Sequence, residues 1–238
     1  MGEERFSSFV VSCKDSDLWI GIDKTSFEPS IVDFAQRELI NLRLVLEKYI
    51  HSFPEFATTY TPIKLPDNSP DIAVQMGKAA EIAEVGPMAA VAGAFSEFIG
   101  RAIQKRFPVK EIVVENGGDI YMSIGKDLNL SVYAGNSALS GKIGIKIPYD
   151  STPIGICTSA GNVGPSFSFG RADAVMVACK NTALADAYAT TFGNRVKTAD
   201  DISKAIKIAS QCKEIISIVI ICQNQMGITG QFELCPIC

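Results

Sequence analysis

Apolar positions along the chain change period several times, and each change marks an element. Phe6 to Cys13 and Asp17 to Asp23 are short apolar-rich runs separated by Lys14-Asp15-Ser16, which predicts two strands and a turn. After Pro29, Ile31, Phe34, Leu39, Leu42 and Leu46 recur at roughly helical spacing, predicting a helix to about Ile50. Pro54, Pro62 and Pro66 make the next stretch irregular. Ser69-Pro70 predicts a helix start, with the Ser69 hydroxyl as cap and proline in the first turn, running to about Glu84. Gly86-Pro87 ends it and opens another helix that closes near Arg106. That helix begins with small residues (Ala89, Ala90, Ala92, Gly93, Ala94), for which close packing is the first reading and close approach of a cofactor the second.

The second half turns to period two. Ile112-Val113-Val114, then Ile120, Met122 and Ile124, then Leu128, Leu130 and Val132, then Ile143, Ile145 and Ile147, predict an antiparallel meander. Lys142 and Lys146 give it one wet face. A strand at Ala174 to Cys179 precedes a helix capped by Asn181 or Thr182 and ending at Gly193-Asn194. Asp200 or Asp201 starts the last helix, to about Cys212, and strands at Ile215 to Cys222 and Gln231 to Leu234 follow. Strand groups and helix groups segregate, so the expected class is α+β. No residue-level repeat or linker stands out. The expected organisation is one domain over 1–238, with two similar halves (about 1–110 and 111–238) as the alternative division.

Composition narrows the function classes. At 47% hydrophobic and 20% charged, the 238 residues have an ordinary globular balance. A net charge of −4 argues against general nucleic-acid binding. The most apolar run, Ile215 to Cys222, is too short to span a bilayer, and Met1-Gly2-Glu3-Glu4-Arg5 opens no secretory signal. A cytoplasmic protein without a membrane partner is expected. Seven cysteines without a signal suggest reduced thiols. Cys235-Pro236-Ile237-Cys238 could in principle join Cys212 and Cys222 at a metal; a tail with two free thiols is favoured. His51 is the only histidine, and a helix-terminal role is expected for it. There is no G-x-S-x-G and no Walker loop.

Three segments could carry chemistry. Glu115-Asn116-Gly117-Gly118-Asp119 lies between two apolar strands. It makes a hairpin turn in any case. Its glycines would also let a flat ring or a phosphate reach the backbone, with Glu115 and Asp119 available to polar cofactor atoms or a metal shell. Cys157 to Gly170 is read as a long loop rich in hydroxyls and glycine, including Thr158, Ser159 and Gly161. Such a loop offers N–H groups and short donors to an anion. Asp186 and Thr190 stand four apart, on one face of a helix. A hard cation such as Mg²⁺ takes one or two oxygens of this kind and fills its shell with phosphate and water.

These segments together resemble the ApbE-like family, the Mg²⁺-dependent FAD:protein FMN transferases once called thiamine-biosynthesis lipoproteins. Val114 to Ile120 resembles the family's N-x-GGD-I signature, and Ala185-Asp186-Ala187-Tyr188-Ala189-Thr190 its AD-A-x-AT motif. Val85-Gly86-Pro87-Met88-Ala89-Ala90 lies where the family has GGIAKG. The resemblance implies a tandem T-fold-like α+β architecture of antiparallel sheets and paired helices. It implies Asp186, Thr190 and the Ala89 backbone carbonyl as metal ligands. It also implies a bound FAD or related flavin nucleotide with Mg²⁺. The chain resembles more closely still an uncharacterised archaeal and bacterial branch of the family. It departs from the transferases in two places. Pro165 to Gly170 lacks the histidine of H-I-I-D-P, and Ala90 stands for the lysine of GGIAKG. Three readings stay open: a Mg²⁺-dependent flavin-phosphoryl transferase, a non-catalytic flavin or nucleotide binder, and an oligomeric scaffold, with a homodimer as the assembly to test.

Overall fold

The computed structural model describes residues 5–160 and 170–237. Strands β1 (Phe6–Cys13) and β2 (Ser16–Asp23) form a hairpin, followed by helices α1 (Ser30–Ser52), α2 (Glu55–Thr58), α3 (Asp71–Ala83) and α4 (Val91–Arg106). Strands β3 (Ile112–Asn116), β4 (Asp119–Ser123), β5 (Leu128–Ser131), β6 (Ile143–Ile147), β7 (Ile154–Ser159) and β8 (Ala174–Cys179) come next. Helices α5 (Thr182–Arg195) and α6 (Ile202–Ala209) and strands β9 (Ile215–Cys222), β10 (Gln225–Gly230) and β11 (Glu233–Pro236) complete the order. The α+β expectation holds.

Eight strands form one antiparallel sheet in the order β1-β2-β3-β4-β7-β8-β9-β10. The path is two strands, helices and two strands, run through twice. A separate sheet, β11-β6-β5, packs on one face through Leu130, Ile145 and Ile147 against Met122, Ile156 and Met176. The helices cover the other face, where Ile20, Val114, Val177 and Ile220 meet residues such as Ala35, Phe95 and Phe192. The alternation is strict enough that Val113 and Val114 belong to opposite cores. Helix α4 lies over β3 and β4, and α5 beside it over β7 and β8. The site is built where these two central helices and the two central strands meet. Among the described residues no single helix is long and apolar enough to cross a membrane.

The structure corrects several expectations. The meander is split, because β5 and β6 leave the large sheet and β7 takes the place beside β4. Cys157, Thr158 and Ser159, read as the start of a loop, are the end of β7. Strand β10 was not expected, and the last strand is Glu233–Pro236 rather than Gln231 to Leu234. Both unexpected strands carry glycine where a helix presses on the sheet. A Cβ at Gly155 would strike the Thr182 backbone, and one at Gly227 would strike Ile202. Ser69 does not cap α3, which starts from Pro70 without a side-chain cap bond. Its hydroxyl donates to the Pro66 carbonyl at 2.7 Å and pairs with the Tyr49 hydroxyl. Asn181 does cap α5, accepting from the Leu184 N–H at 2.8 Å.

Candidate functional site

The β3–β4 hairpin pairs Asn116 with Asp119 across a two-residue turn, Gly117-Gly118. Both glycines have left-handed φ, 63° and 101°, which favours glycine at each. Glu115 locks the turn by accepting the Gly118 N–H at 2.6 Å. Asn116 is buried and donates its amide to the Ala92 carbonyl at 3.2 Å, tying the hairpin to the first turn of α4.

Asp119 is 8% exposed, and its Oδ1 has no hydrogen-bond partner. Its carboxyl is approached by the Cys157 thiol and the Thr158 N–H, both from β7. Asp186 arrives from α5. Its Oδ2 accepts from the Gly93 N–H at 2.9 Å, at the start of α4. Gly93 has no room for a side chain, since a Cβ would lie 2.5 Å from the Thr182 carbonyl oxygen and 2.8 Å from the Asp186 Cβ. That close crossing of α4 and α5 places Asp186 against the start of α4.

Their electrostatics follow from burial. Desolvation raises Asp186 to about 7, against the opposing pull of the Gly93 and Ala92 N–H groups. Asp119 is pushed well above its usual range, first by burial and then by the charge of Asp186. Burial, then the Asp119 and Asp186 charges, likewise push the Cys157 thiol up.

Asp119, Asp186, Thr190 and Ala89 line one cavity of about 260 Å³, with Tyr60 and Asn194 on its wall. Ala89 lies in the 3-10 turn Pro87–Ala90 that leads into α4. Asn116 and Gly117 line an adjoining recess that also reaches Asp119. Glu115 is turned to its own hairpin, and Gly118 sits against Thr158, whose carbonyl oxygen is 3.8 Å from a Cβ built on the glycine. Ser159 pairs with Val175 at the end of β7. Gly161 lies outside the described residues, as do most of the expected hydroxyl-rich loop and Cys238. Sequence reasoning missed two groups. Cys157 was hidden because the strand carrying it was read as a loop. Tyr60 lies in the proline-rich stretch with no periodic signal.

The family described as "AbpE bacteria" has a model that matches residues 1–228 of this chain. The chain belongs to this family. A UPF0280 protein of Methanococcus vannielii is 38% identical over 232 residues, covering 96% of this chain and 92% of the relative. A UPF0280 protein of Methanocaldococcus jannaschii is 40% identical over 223 residues, covering 92% and 88%. Among solved structures, the apo flavinyl transferase ApbE of Pseudomonas stutzeri matches with a TM-score of 0.58 at 11% identity, covering 96% of each chain. The apbE protein of Thermotoga maritima matches with a TM-score of 0.55 at 10% identity, again over 96% of each chain. At such identities the structures show a shared fold, and that fold is the ApbE-like one expected from the motifs.

Proposed function

We propose that this AbpE-family chain binds a flavin nucleotide, FAD or a close relative, together with Mg²⁺, and transfers its flavin-phosphoryl group to an acceptor hydroxyl. One observation carries this reading. Asp119, whose buried Oδ1 has no hydrogen-bond partner, lines the same cavity as Asp186, Thr190 and Ala89. A buried acceptor without a donor is costly, and two carboxylates pressed together repel unless a proton or cation lies between them.

The residues fit a hard cation. Two carboxylates, a hydroxyl and a backbone carbonyl form an all-oxygen set suited to Mg²⁺. Among the described residues no group of three or more His, Cys, Asp or Glu is placed to hold a metal ion, so the two carboxylates would need the Thr190 hydroxyl, the Ala89 carbonyl and the diphosphate oxygens to complete the shell. When bound, the cation would neutralise diphosphate charge. The chain's own part is to hold Asp186 through Gly93 and to fix the hairpin through Asn116. It also keeps Asp119 out of water. In the transfer, the P–O bond to the departing nucleotide breaks as a P–O bond to the acceptor oxygen forms. The leaving group takes the electron pair, and the acceptor's proton passes to a carboxylate. Catalysis is then positioning plus charge stabilisation.

The solved relatives titled flavinyl transferase and flavin transferase support a flavin as the ligand. A second reading, binding without chemistry, is favoured by Ala90 in place of the transferases' lysine and by the lack of histidine from Pro165 to Gly170. The test incubates purified protein with FAD and Mg²⁺ and follows binding by calorimetry and AMP release by chromatography. Metal-dependent binding with AMP release supports transfer, and binding with no product over hours supports the second reading. Neither binding nor turnover removes both. Asp186→Ala is expected to abolish the metal dependence with the fold intact.

A further inference from the structure

Cys157 is fully buried and has no part in the reading above. It stands directly across from Asp119 in the β4–β7 pair, so both side chains leave the sheet on one face. That face is the one covered by the helices. The Cys157 Sγ lies 3.4 Å from the Thr182 carbonyl oxygen. Thr182 is one turn before Asp186 on α5, where that helix presses on Gly93 and Gly155. The thiol therefore lies between Asp119 and the turn of α5 that leads to Asp186.

A thiol keeps its proton at neutral pH and donates it to one acceptor at a time. Two acceptors are in reach, the Asp119 carboxyl and the Thr182 carbonyl. A helix carbonyl at the position of Thr182 accepts from the residue four further on, here Asp186. It stays satisfied when the thiol turns to Asp119. Asp119 has no such reserve, because its Oδ1 lacks a partner while the residue is 8% exposed on the cavity wall. A carboxylate held by a donor, with one oxygen left bare, is how metal-ligating acids are commonly set. Sulfur itself suits a hard cation poorly, so the thiol's part is the hydrogen bond.

We propose that Cys157 is a positioning residue for the cation: its thiol holds the Asp119 carboxyl against β7 and leaves Oδ1 to the metal. The inference rests on the reading above and adds the residue that fixes one of its two acids. The consequence is ion preference. Mg²⁺ demands near-ideal geometry, whereas Ca²⁺ accepts a looser shell. Freeing the Asp119 carboxyl should therefore weaken Mg²⁺ more than Ca²⁺.

The test uses the full chain and Mn²⁺, its binding read by electron paramagnetic resonance, with Mg²⁺ and Ca²⁺ as competitors. Serine and alanine at this position remove nearly the same volume, but only serine keeps a donor. Cys157→Ala should weaken Mg²⁺ by about tenfold and Ca²⁺ by about threefold or less. Cys157→Ser should stay within about twofold of the wild-type chain for both ions. If Cys157→Ala fails to fold, Cys157→Val fills the space and serves as the donor-free variant. A loss shared equally by serine and alanine, or equally by the two ions, assigns Cys157 to packing and overturns the inference. Wild-type affinities in a folded donor-free variant overturn it too. In these cases the wild-type chain still binds Mn²⁺ and the metal reading stands; failure of the wild-type chain to bind Mn²⁺ overturns both.

Discussion

Two groups of buried carboxylates, carried by the large sheet and by helices α4 and α5, are treated in opposite ways. Glu97, 4% exposed, accepts from Gln75 at 3.0 Å, from the Thr182 N–H at 2.8 Å and from Arg101 at 2.8 Å. Asp23, 7% exposed, accepts from the Thr25 hydroxyl and from the backbone N–H groups of Ser26, Lys110 and Glu111. Every oxygen of these two is employed in holding elements together. Asp119 and Asp186 line one cavity, and the Oδ1 of Asp119 has no hydrogen-bond partner. Two buried acids are satisfied completely, and a third keeps one oxygen that the proposed function would use for a ligand from outside the chain.

The sharpest break of this contrast should come at Glu97. Replacing it with Leu strands the Thr182 N–H and the Gln75 amide and removes a negative charge from the N-terminal end of α5. The expected cost is about 3–5 kcal/mol in chemical denaturation. A change below about 1 kcal/mol would show that the network is not structural. Asp186→Asn should do the reverse, leaving the fold and cutting Mg²⁺-dependent FAD affinity about 100-fold, close to 2.7 kcal/mol. Calorimetry with and without Mg²⁺ checks it, and an unchanged metal dependence would remove Asp186 from the site.

The pH dependence should separate the two groups by sign. For Asp23, burial raises the carboxyl, but the bonds from Thr25, Ser26 and the Glu111 and Lys110 N–H groups together hold it below its ordinary 3.8. Its contribution is therefore present above about 3.8 and is lost as the pH falls through the lowered folded value. Asp186 is raised from 3.8 to about 7, so the folded state holds a proton that the unfolded chain has released. Its burden on stability grows as the pH rises from about 4 to about 7 and is constant above that. Asp186→Asn should accordingly be more stable than the wild-type chain at pH 8 without metal, with the gain shrinking toward pH 4. Melting curves at the two pH values test this, and a gain that is larger at pH 4 would contradict the sign.

Much of this was legible in the sequence, for physical reasons. Period-two runs such as Ile143, Ile145 and Ile147 give strands because one side is always buried. The Gly117-Gly118 turn is visible because few other residues adopt two successive left-handed φ values. Asp119, Asp186, Thr190 and Ala89, which come from three separate motifs, line one cavity in the fold. What could not be read depended on close approach between distant elements. Gly155 looks like a strand breaker in sequence, whereas in the fold it is the place where α5 rests on β7. That one carboxyl oxygen of Asp119 lacks a partner shows only once β4 is packed against β7. The adjoining recess needs α1 and the hairpin, which have no shared sequence signal.

Gly93 tests how far that convergence matters. Gly93→Ala places a methyl 2.5 Å from the Thr182 carbonyl oxygen and 2.8 Å from the Asp186 Cβ, so α4 and α5 must move apart. Overpacking of this kind costs about 1–3 kcal/mol. Because Gly93 also donates to Asp186, the same change should weaken Mg²⁺ binding, which Glu97→Gln should leave alone. A Gly93→Ala chain with lowered stability and wild-type metal affinity would mean that Asp186 is not positioned by the helix crossing.

The finest version of the comparison lies on adjacent residues of α5. Thr190 faces the cavity, whereas Thr191 is 8% exposed and donates its hydroxyl to the Ala83 carbonyl at 2.6 Å, with the Ala187 carbonyl at 3.1 Å. Thr191 thus closes the C-terminal end of α3 against α5, a structural bond. Replacing either by Val removes one hydroxyl and keeps the shape. Thr191→Val should lower stability by about 1 kcal/mol, the usual net worth of such a bond, and leave Mg²⁺ binding unchanged. Thr190→Val should leave stability unchanged and weaken Mg²⁺ by about tenfold, near 1.4 kcal/mol. Denaturant melts and calorimetry on the two variants read both quantities. If the effects came out exchanged, or if both variants lost only stability, α5 would be a packing helix and the cavity would have no claim to a cation.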